Sequence, residues 1–140
     1  MALPRSEVFI GAPLPLLFSW LESRTGIEWT PDFRAIGRVV NGELVGVVGF
    51  NGQNGASCQM HMAGEGKHWG SRKFIREVFR YAFEICGYNV VFGTVPSGNV
   101  AAYEIDTRLG FEKIATIVGG HPDGALHFLM MRRENCRWLA

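Results

Sequence analysis

One stretch of the sequence, Ala63–Cys86, constrains the fold most strongly, because a glycine-bearing loop leads directly into a long amphipathic helix. Ser71 ends the loop and is a favourable N-cap residue. From Phe74 onward the apolar residues recur every three or four positions, the spacing of one buried helix face. Gly87 then predicts a left-handed C-terminal cap. Such a junction offers unpaired N–H groups and a positive helix end, which suit a phosphate; a plain loop-to-helix junction is the alternative.

The residues on both sides of this stretch predict strands. Asn41-Gly42 joins two apolar segments, Ala35–Val40 and Glu43–Phe50, and supplies the two positive-φ residues of a type I′ hairpin turn. A third strand is predicted at Ala56–Met62, and a fourth at Tyr88–Val95 after the helix. Because a helix separates these last two strands, they should be parallel, with a right-handed connection.

The remaining segments complete a single domain, residues 1–140. The pattern predicts helices at Leu16–Arg24 and Val100–Leu109, and strands at Phe111–Val118 and Ala125–Met131. The predicted order is therefore α–βββ–α–β–α–ββ, an α/β fold of the α+β type with one mixed sheet and helices packed on it.

Composition excludes several classes of protein. The chain has 140 residues, of which 47% are hydrophobic, so it can bury a substantial core. Its formal net charge of +1 gives no general attraction to nucleic acid. Three cysteines form no disulfide framework, which predicts reduced thiols in a cytoplasmic protein. The apolar segment Val8–Leu21 is too short to span a bilayer and contains two prolines, so we interpret it as mature folded chain without a membrane anchor.

Two common glycine-loop motifs do not fit this loop. A Walker loop requires glycine five residues before Gly66-Lys67, where the chain has His61. The dinucleotide-binding fingerprint requires glycine at the position of Trp69. The loop therefore needs another explanation.

The segment Asn99-x-x-Ala102 followed by Leu109-Gly110-Phe111, together with the loop-to-helix junction, resembles the GNAT family of acyl-CoA-dependent N-acetyltransferases. The resemblance covers residues 35–131, and residues 79–83 also resemble the ribosomal-protein acetyltransferase branch. Residues 131–139 resemble the ends of small GNAT-like proteins encoded by tailed phages. The resemblance implies one mixed, mostly antiparallel sheet with a central splayed parallel pair and helices on both faces.

The resemblance also implies a site for acetyl-CoA between the splayed strands. The family's loop pattern, Q/R-x-x-G-x-G/A, falls on Glu65–Gly70 and matches only at Gly70, so an outward-pointing Glu65 is expected, with Lys67 or Arg72 supplying countercharge. Asn99 would bond the pantetheine arm, or cap the helix that follows it, or both. The implied cofactor-binding residues are Met62, Ala63, Gly64, Lys67, His68, Trp69, Gly70, Ser71, Arg72 and Asn99.

Acyl transfer to an amine needs a base and a proton donor for the leaving thiolate. His61 is the candidate base, because imidazole titrates near ~6.5; a histidine hydrogen-bonded within the sheet is the alternative. The family's acid Tyr position holds Asp106 here, so Tyr103 is the candidate donor, or else a tyrosine packed on the sheet. Strand alternation places Cys58 and His61 on opposite faces, which argues against a metal site.

These observations predict direct transfer of an acyl group from acetyl-CoA to an amine acceptor. The alternative is a GNAT-fold binding or regulatory protein of phage type, which acts on a host protein without acyl transfer. We expect no nucleic-acid or membrane partner, and a homodimer or a host-protein partner remains open. The expected location is the cytoplasm, or the host cytoplasm for a phage-encoded chain.

Overall fold

A single mixed sheet organises the computed structural model, which describes residues 7–11, 14–66 and 70–139. Within these residues the strands lie in the order β1-β2-β3-β4-β5-β7-β6. The pair β4–β5 is parallel, and the other neighbouring pairs are antiparallel. The strands are β1 Glu7–Ile10, β2 Arg34–Val40, β3 Glu43–Asn51, β4 Ser57–Gly64, β5 Val90–Pro96, β6 Glu112–His121 and β7 Gly124–Arg132.

Three α-helices pack on this sheet: α1 Leu14–Thr25, α2 Arg72–Arg80 and α3 Val100–Leu109. A π-helical turn, Tyr81–Ile85, continues α2, and a 3₁₀ turn, Arg133–Asn135, follows β7. No helix in the described part of the chain is long and apolar enough to cross a membrane.

Three local features predicted from the sequence are confirmed: the hairpin turn at Asn41-Gly42, the N-cap at Ser71 and the helix end at Gly87. Asn41 and Gly42 have φ angles of 51° and 83°, as a type I′ turn requires. The Ser71 hydroxyl oxygen accepts a hydrogen bond from the Phe74 N–H at 3.1 Å and so caps α2. Gly87 has a φ of 73°, the left-handed conformation expected just beyond a helix end.

The sequence analysis missed β1, so the element order is corrected to β–α–βββ–α–β–α–ββ. With four residues, β1 is too short to show the alternation that identifies a strand. Its position depends on tertiary contacts instead. It pairs antiparallel with β2, Glu7 forms an ion pair with Arg38, and the Phe9 ring lies 5.5 Å from that of Phe74.

The hydrophobic core has two parts, one on each face of the sheet. On one face α1 contributes Leu17 and Leu21, which pack with Val47 of β3. On the other face α2 contributes Phe74 and Phe79 to a larger cluster that extends to α3 and β7. The helices therefore cover both faces, as the resemblance implied.

The parallel strands β4 and β5 separate after a short contact. They pair over three positions, from Ser57 opposite Val90 to Gln59 opposite Phe92. Beyond Gln59, β4 remains paired with β3 as far as Gly64, and β5 remains paired with β7 as far as Pro96. A gap therefore opens between β4 and β5, while each strand stays paired with its other neighbour. The predicted splayed parallel pair is present.

Candidate active site

The gap between β4 and β5 opens into a cleft of about 720 Å³. The end of β4 and the end of β5 form its two long walls, and the N-terminal part of α3 lies across it. The C-terminal end of α1 and the β6–β7 turn close the remaining sides. Five separate segments of the chain thus meet where the parallel strands diverge.

Residues from both faces of the sheet line the cleft. His61 lies on the α1 face, because Ala63, two residues further along the same strand, packs against the α1 core. Met60 points to the opposite face and belongs to the α2–α3 core. A molecule in the cleft would therefore contact His61 from one side and α3 from the other.

His61 is half-buried, and its Nε2 donates a hydrogen bond to the Asn51 Oδ1 at 2.8 Å. Since the amide oxygen only accepts, this bond places the imidazole proton on Nε2 and leaves a lone pair on Nδ1. Burial lowers the pKa of His61, so the ring is neutral at pH 7. His61 is therefore hydrogen-bonded within the sheet and also lines the cleft, and its role as a base stays a prediction.

Asn99 is the N-cap of α3, which confirms one of its two predicted roles. Its side-chain oxygen accepts a hydrogen bond from the Ala102 N–H at 3.2 Å. Asn99 also lines the cleft, where β5 passes into α3. Capping and ligand contact are compatible, because capping engages the amide oxygen and the amide NH₂ group is a separate donor.

Asp106 lines the same wall, two turns further along α3. Burial raises the pKa of its carboxyl group to about 6. Tyr103 lies on the adjacent side of the helix, with its ring 5.1 Å from that of His127 and 5.9 Å from the Lys113 Nζ. The structure therefore brings Asn99 and Asp106 together in the cleft lining, whereas Tyr103 packs against β7 and β6.

Comparison with known proteins identifies the fold. No family model and no curated protein matches the chain. Among solved structures, spermidine/spermine N-acetyltransferase SpeG from Vibrio cholerae, in complex with manganese ions, has a TM-score of 0.73 at 13% identity, covering 90% of this chain and 92% of that one. A dodecameric structure of the Vibrio cholerae spermidine N-acetyltransferase has a TM-score of 0.73 at 13% identity, covering 91% and 94%. This chain has the GNAT fold.

The loop that the family resemblance assigned to the cofactor follows β4, and part of it can be described here. Met62, Ala63 and Gly64, three of the predicted cofactor-binding residues, line the cleft. Glu65 forms an ion pair with Arg24 of α1, and its backbone N–H donates to the Val45 oxygen at 2.9 Å. The charge of Glu65 is therefore offset by a partner that the sequence did not indicate. The predicted binding residues Lys67, His68 and Trp69 lie outside the described residues.

The N-terminus of α2 follows this loop and carries the other predicted phosphate-binding residues. Gly70 precedes the cap Ser71, and Arg72 is exposed in the first turn. Ser71 also lies beside the Glu7 carboxylate of β1, whose pKa is lowered by the hydroxyl of Ser71 and by Arg38. The capping role of Ser71 was predicted from the sequence, but its position beside β1 was not.

Sequence reasoning missed three residues that line the cleft, Arg24, Thr25 and His121, and one that lies behind His61, Asn51. Arg24, Thr25 and His121 line the cleft from α1 and the β6–β7 turn. Asn51 is buried and orients His61. The sequence shows a polar residue at a strand end, Asn51, and a histidine before the Pro122-Asp123-Gly124 turn, His121. No local pattern, however, indicates that they approach the cleft.

Cys58 and His61 face opposite sides of β4, as predicted from strand alternation. Cys58 is buried in the core, where burial raises the pKa of its thiol to about 12 and makes it unreactive. Within the described residues, no group of three or more His, Cys, Asp or Glu side chains is arranged to hold a metal ion.

Proposed function

We propose that this protein is an acyl-CoA-dependent N-acyltransferase that transfers an acetyl group from acetyl-CoA directly to an amine. The observation that carries this proposal is the cleft between β4 and β5, with His61 on one face of the sheet and the Asn99–Asp106 wall of α3 on the other. A base and an acid on opposite faces can serve one molecule that lies between them.

The walls of the cleft fit the pantetheine arm. Beyond Gln59, the side of β4 that faces β5 borders the cleft, while the other side remains bonded to β3. Backbone N–H and C=O groups on such a strand edge bind amide-bearing chains by strand addition. Met62, Ala63 and Gly64 would bond the arm in this way, with Asn99 approaching from α3.

The diphosphate would bind at the start of α2, where backbone N–H groups and the helix dipole favour an anion. Gly70, Ser71 and Arg72 are the described residues there, and we assign Lys67, His68 and Trp69 to the same loop. The Arg24–Glu65 ion pair reduces the repulsion between the Glu65 carboxylate and the phosphates.

When bound, acetyl-CoA supplies a thioester whose C–S bond breaks as the amine nitrogen forms the new C–N bond. His61 takes the proton of the attacking amine at Nδ1, because its hydrogen bond to Asn51 keeps the other nitrogen protonated. A neutral imidazole with a lowered pKa is ready to accept that proton at pH 7.

The proton for the departing sulfur comes from α3, where Tyr103 and Asp106 are the candidates. Tyr103 has the suitable pKa of a phenol, ~10, but its ring packs against His127. Asp106 lines the cleft, and its pKa of about 6 leaves roughly a tenth of it protonated at pH 7. The geometry favours Asp106, and Tyr103 remains the alternative donor.

Asp106→Asn should therefore lower kcat by roughly 10²-fold, the low end of general acid catalysis, and by more than Tyr103→Phe does. The pH profile provides a second readout. Because Asp106 loses its proton as the pH rises through about 6, the parent should lose kcat above that pH, and the Asn variant should lack this limb. A larger loss in Tyr103→Phe would assign the donor role to Tyr103.

The function itself is tested by measuring thiol release from acetyl-CoA with a panel of amines. Amine-dependent release, with matching formation of the acetylated amine, is expected. Binding of acetyl-CoA without turnover of any amine would favour the alternative, a GNAT-fold binding or regulatory protein with a host protein as partner.

A further inference from the structure

The side of the cleft that faces α1 indicates what kind of amine the protein accepts. This inference rests on the proposed acyl transfer. Thr94 of β5 points to this face, because the next residue, Val95, is buried in the α2–α3 core. We call this surface the acceptor wall. It consists of Thr25, Ile27, His61, Thr94 and Leu126, and His121 lies at its edge, where it also lines a second cavity with Asn99 and Asp123.

The acceptor wall contains the imidazole of His61 together with neutral side chains, and the imidazole of His121 lies at its edge. Among the described residues that line the cleft, the one carboxylate is Asp106, which lies on the α3 side. Asp123 lies beside His121, but its side chain is 92% exposed and its Oδ2 is 3.9 Å from the His121 Nδ1. The wall therefore presents no buried anion to a cationic acceptor.

Arg24 at the edge of this wall is engaged by the protein itself. Its guanidinium forms an ion pair with Glu65, donates to the Trp20 oxygen and the Ser23 Oγ at 3.0 Å each, and lies 3.6 Å from the centroid of the Trp20 ring. These contacts use both terminal nitrogens and one face of the group. Arg24 therefore offsets the charge of Glu65, whose side chain is 56% exposed and lies outside the cleft lining.

We propose that the acceptor is a weakly basic monoamine, whose amino group titrates near ~8 and whose body carries no second positive charge. An amine enters the reaction only in its neutral form, and the residues near it decide the cost of reaching that form. The acceptor wall has no carboxylate to bind a strongly basic amine in its ammonium form, whereas a weakly basic amine is partly neutral at pH 7 and needs no such partner.

Reference pKa values give the size of the preference. An alkylammonium group near ~10.4 is about 10⁴-fold more basic than an imidazole near ~6.5, whereas an α-amino group near ~8 is only about 30-fold more basic. At pH 7 the neutral fraction of the weaker base is larger by roughly 200-fold. A polyamine carries the same disadvantage, and the acceptor wall has no carboxylate to bind its additional ammonium groups.

The test compares three acceptors in thiol-release assays at pH 7: glycinamide, n-butylamine and spermidine. Glycinamide has an α-amino group and a neutral body, n-butylamine is a strongly basic monoamine, and spermidine is a polycation. We expect kcat/KM to be roughly 10²-fold higher for glycinamide than for n-butylamine, and lowest for spermidine. A preference for spermidine over glycinamide would overturn the acceptor assignment alone. No thiol release with any of the three would contradict the proposed acyl transfer, and the acceptor assignment with it.

A matched pair of variants tests the cause of the preference. Thr94 is exposed on the acceptor wall, so Thr94→Glu adds a carboxylate there and Thr94→Gln adds the same bulk without charge. An exposed ion pair changes binding by up to about fivefold. The spermidine-to-glycinamide ratio of kcat/KM should therefore rise by about that factor in the Glu variant relative to the Gln variant. Equal ratios in the two variants would show that wall charge does not set the preference.

Discussion

His61→Ala is expected to lower kcat at pH 7 by roughly 10²–10⁴-fold, the usual contribution of a general base, while acetyl-CoA affinity changes little. The reason is the position of the ring. His61 lies on the side of the cleft that faces α1, and its Nε2 is held by Asn51 at 2.8 Å, so Nδ1 can receive the amine proton. Steady-state kinetics across a pH series and a separate acetyl-CoA titration measure the two quantities.

His61→Gln is the matched control for this prediction. Glutamine retains an N–H donor for the Asn51 oxygen but cannot accept a proton at neutral pH. If His61 acts as the base, both variants lose activity and the limb of the pH profile that reports imidazole deprotonation. Full activity in the Gln variant, or an unchanged pH–rate profile in the Ala variant, would leave His61 with its hydrogen-bonding role alone.

Gly70→Glu is expected to abolish acetyl-CoA binding and leave the fold intact. Gly70 lies directly before the cap of α2, so a carboxylate there would face the diphosphate that we assign to this helix end. Calorimetric titration measures the binding, and circular dichroism measures the fold.

Gly70→Ala separates the effect of charge from that of bulk. A Cβ at this position meets the flexible end of the Ile75 side chain at 3.2 Å, and Gly70 does not need a positive φ, so alanine should be accommodated with a small shift. The Ala variant should therefore bind acetyl-CoA. Normal binding by a folded Glu variant would place the diphosphate elsewhere.

Much of the fold could be predicted from the sequence, because its main signals are local. The Asn41-Gly42 turn and the Asn99 and Ser71 caps each depend on residues within a few positions of one another. The parallel arrangement of β4 and β5 follows from the helix that connects them.

The features that were missed depend on contacts between distant parts of the chain. The strand β1 is identified by its pairing with β2, about 30 residues away in the sequence. The Arg24–Glu65 ion pair joins α1 to the loop that follows β4 across 41 residues. Prediction of the candidate site from the sequence was limited in the same way. The sequence places Tyr103 and Asp106 on one helix, but only the packing of α3 against β7 shows that Asp106 lines the cleft.

The central claim, that the cleft between β4 and β5 binds acetyl-CoA, is tested most directly by thermal unfolding with and without 1 mM acetyl-CoA, about 100 times an assumed Kd near 10 µM. At that excess a ligand that binds only the folded state adds about 2.7 kcal/mol, which raises the Tm of a domain of this size by roughly 5–10 °C. This shift is expected for the parent and for Gly70→Ala, and no shift is expected for Gly70→Glu. An unchanged Tm of the parent at millimolar acetyl-CoA would contradict the central claim.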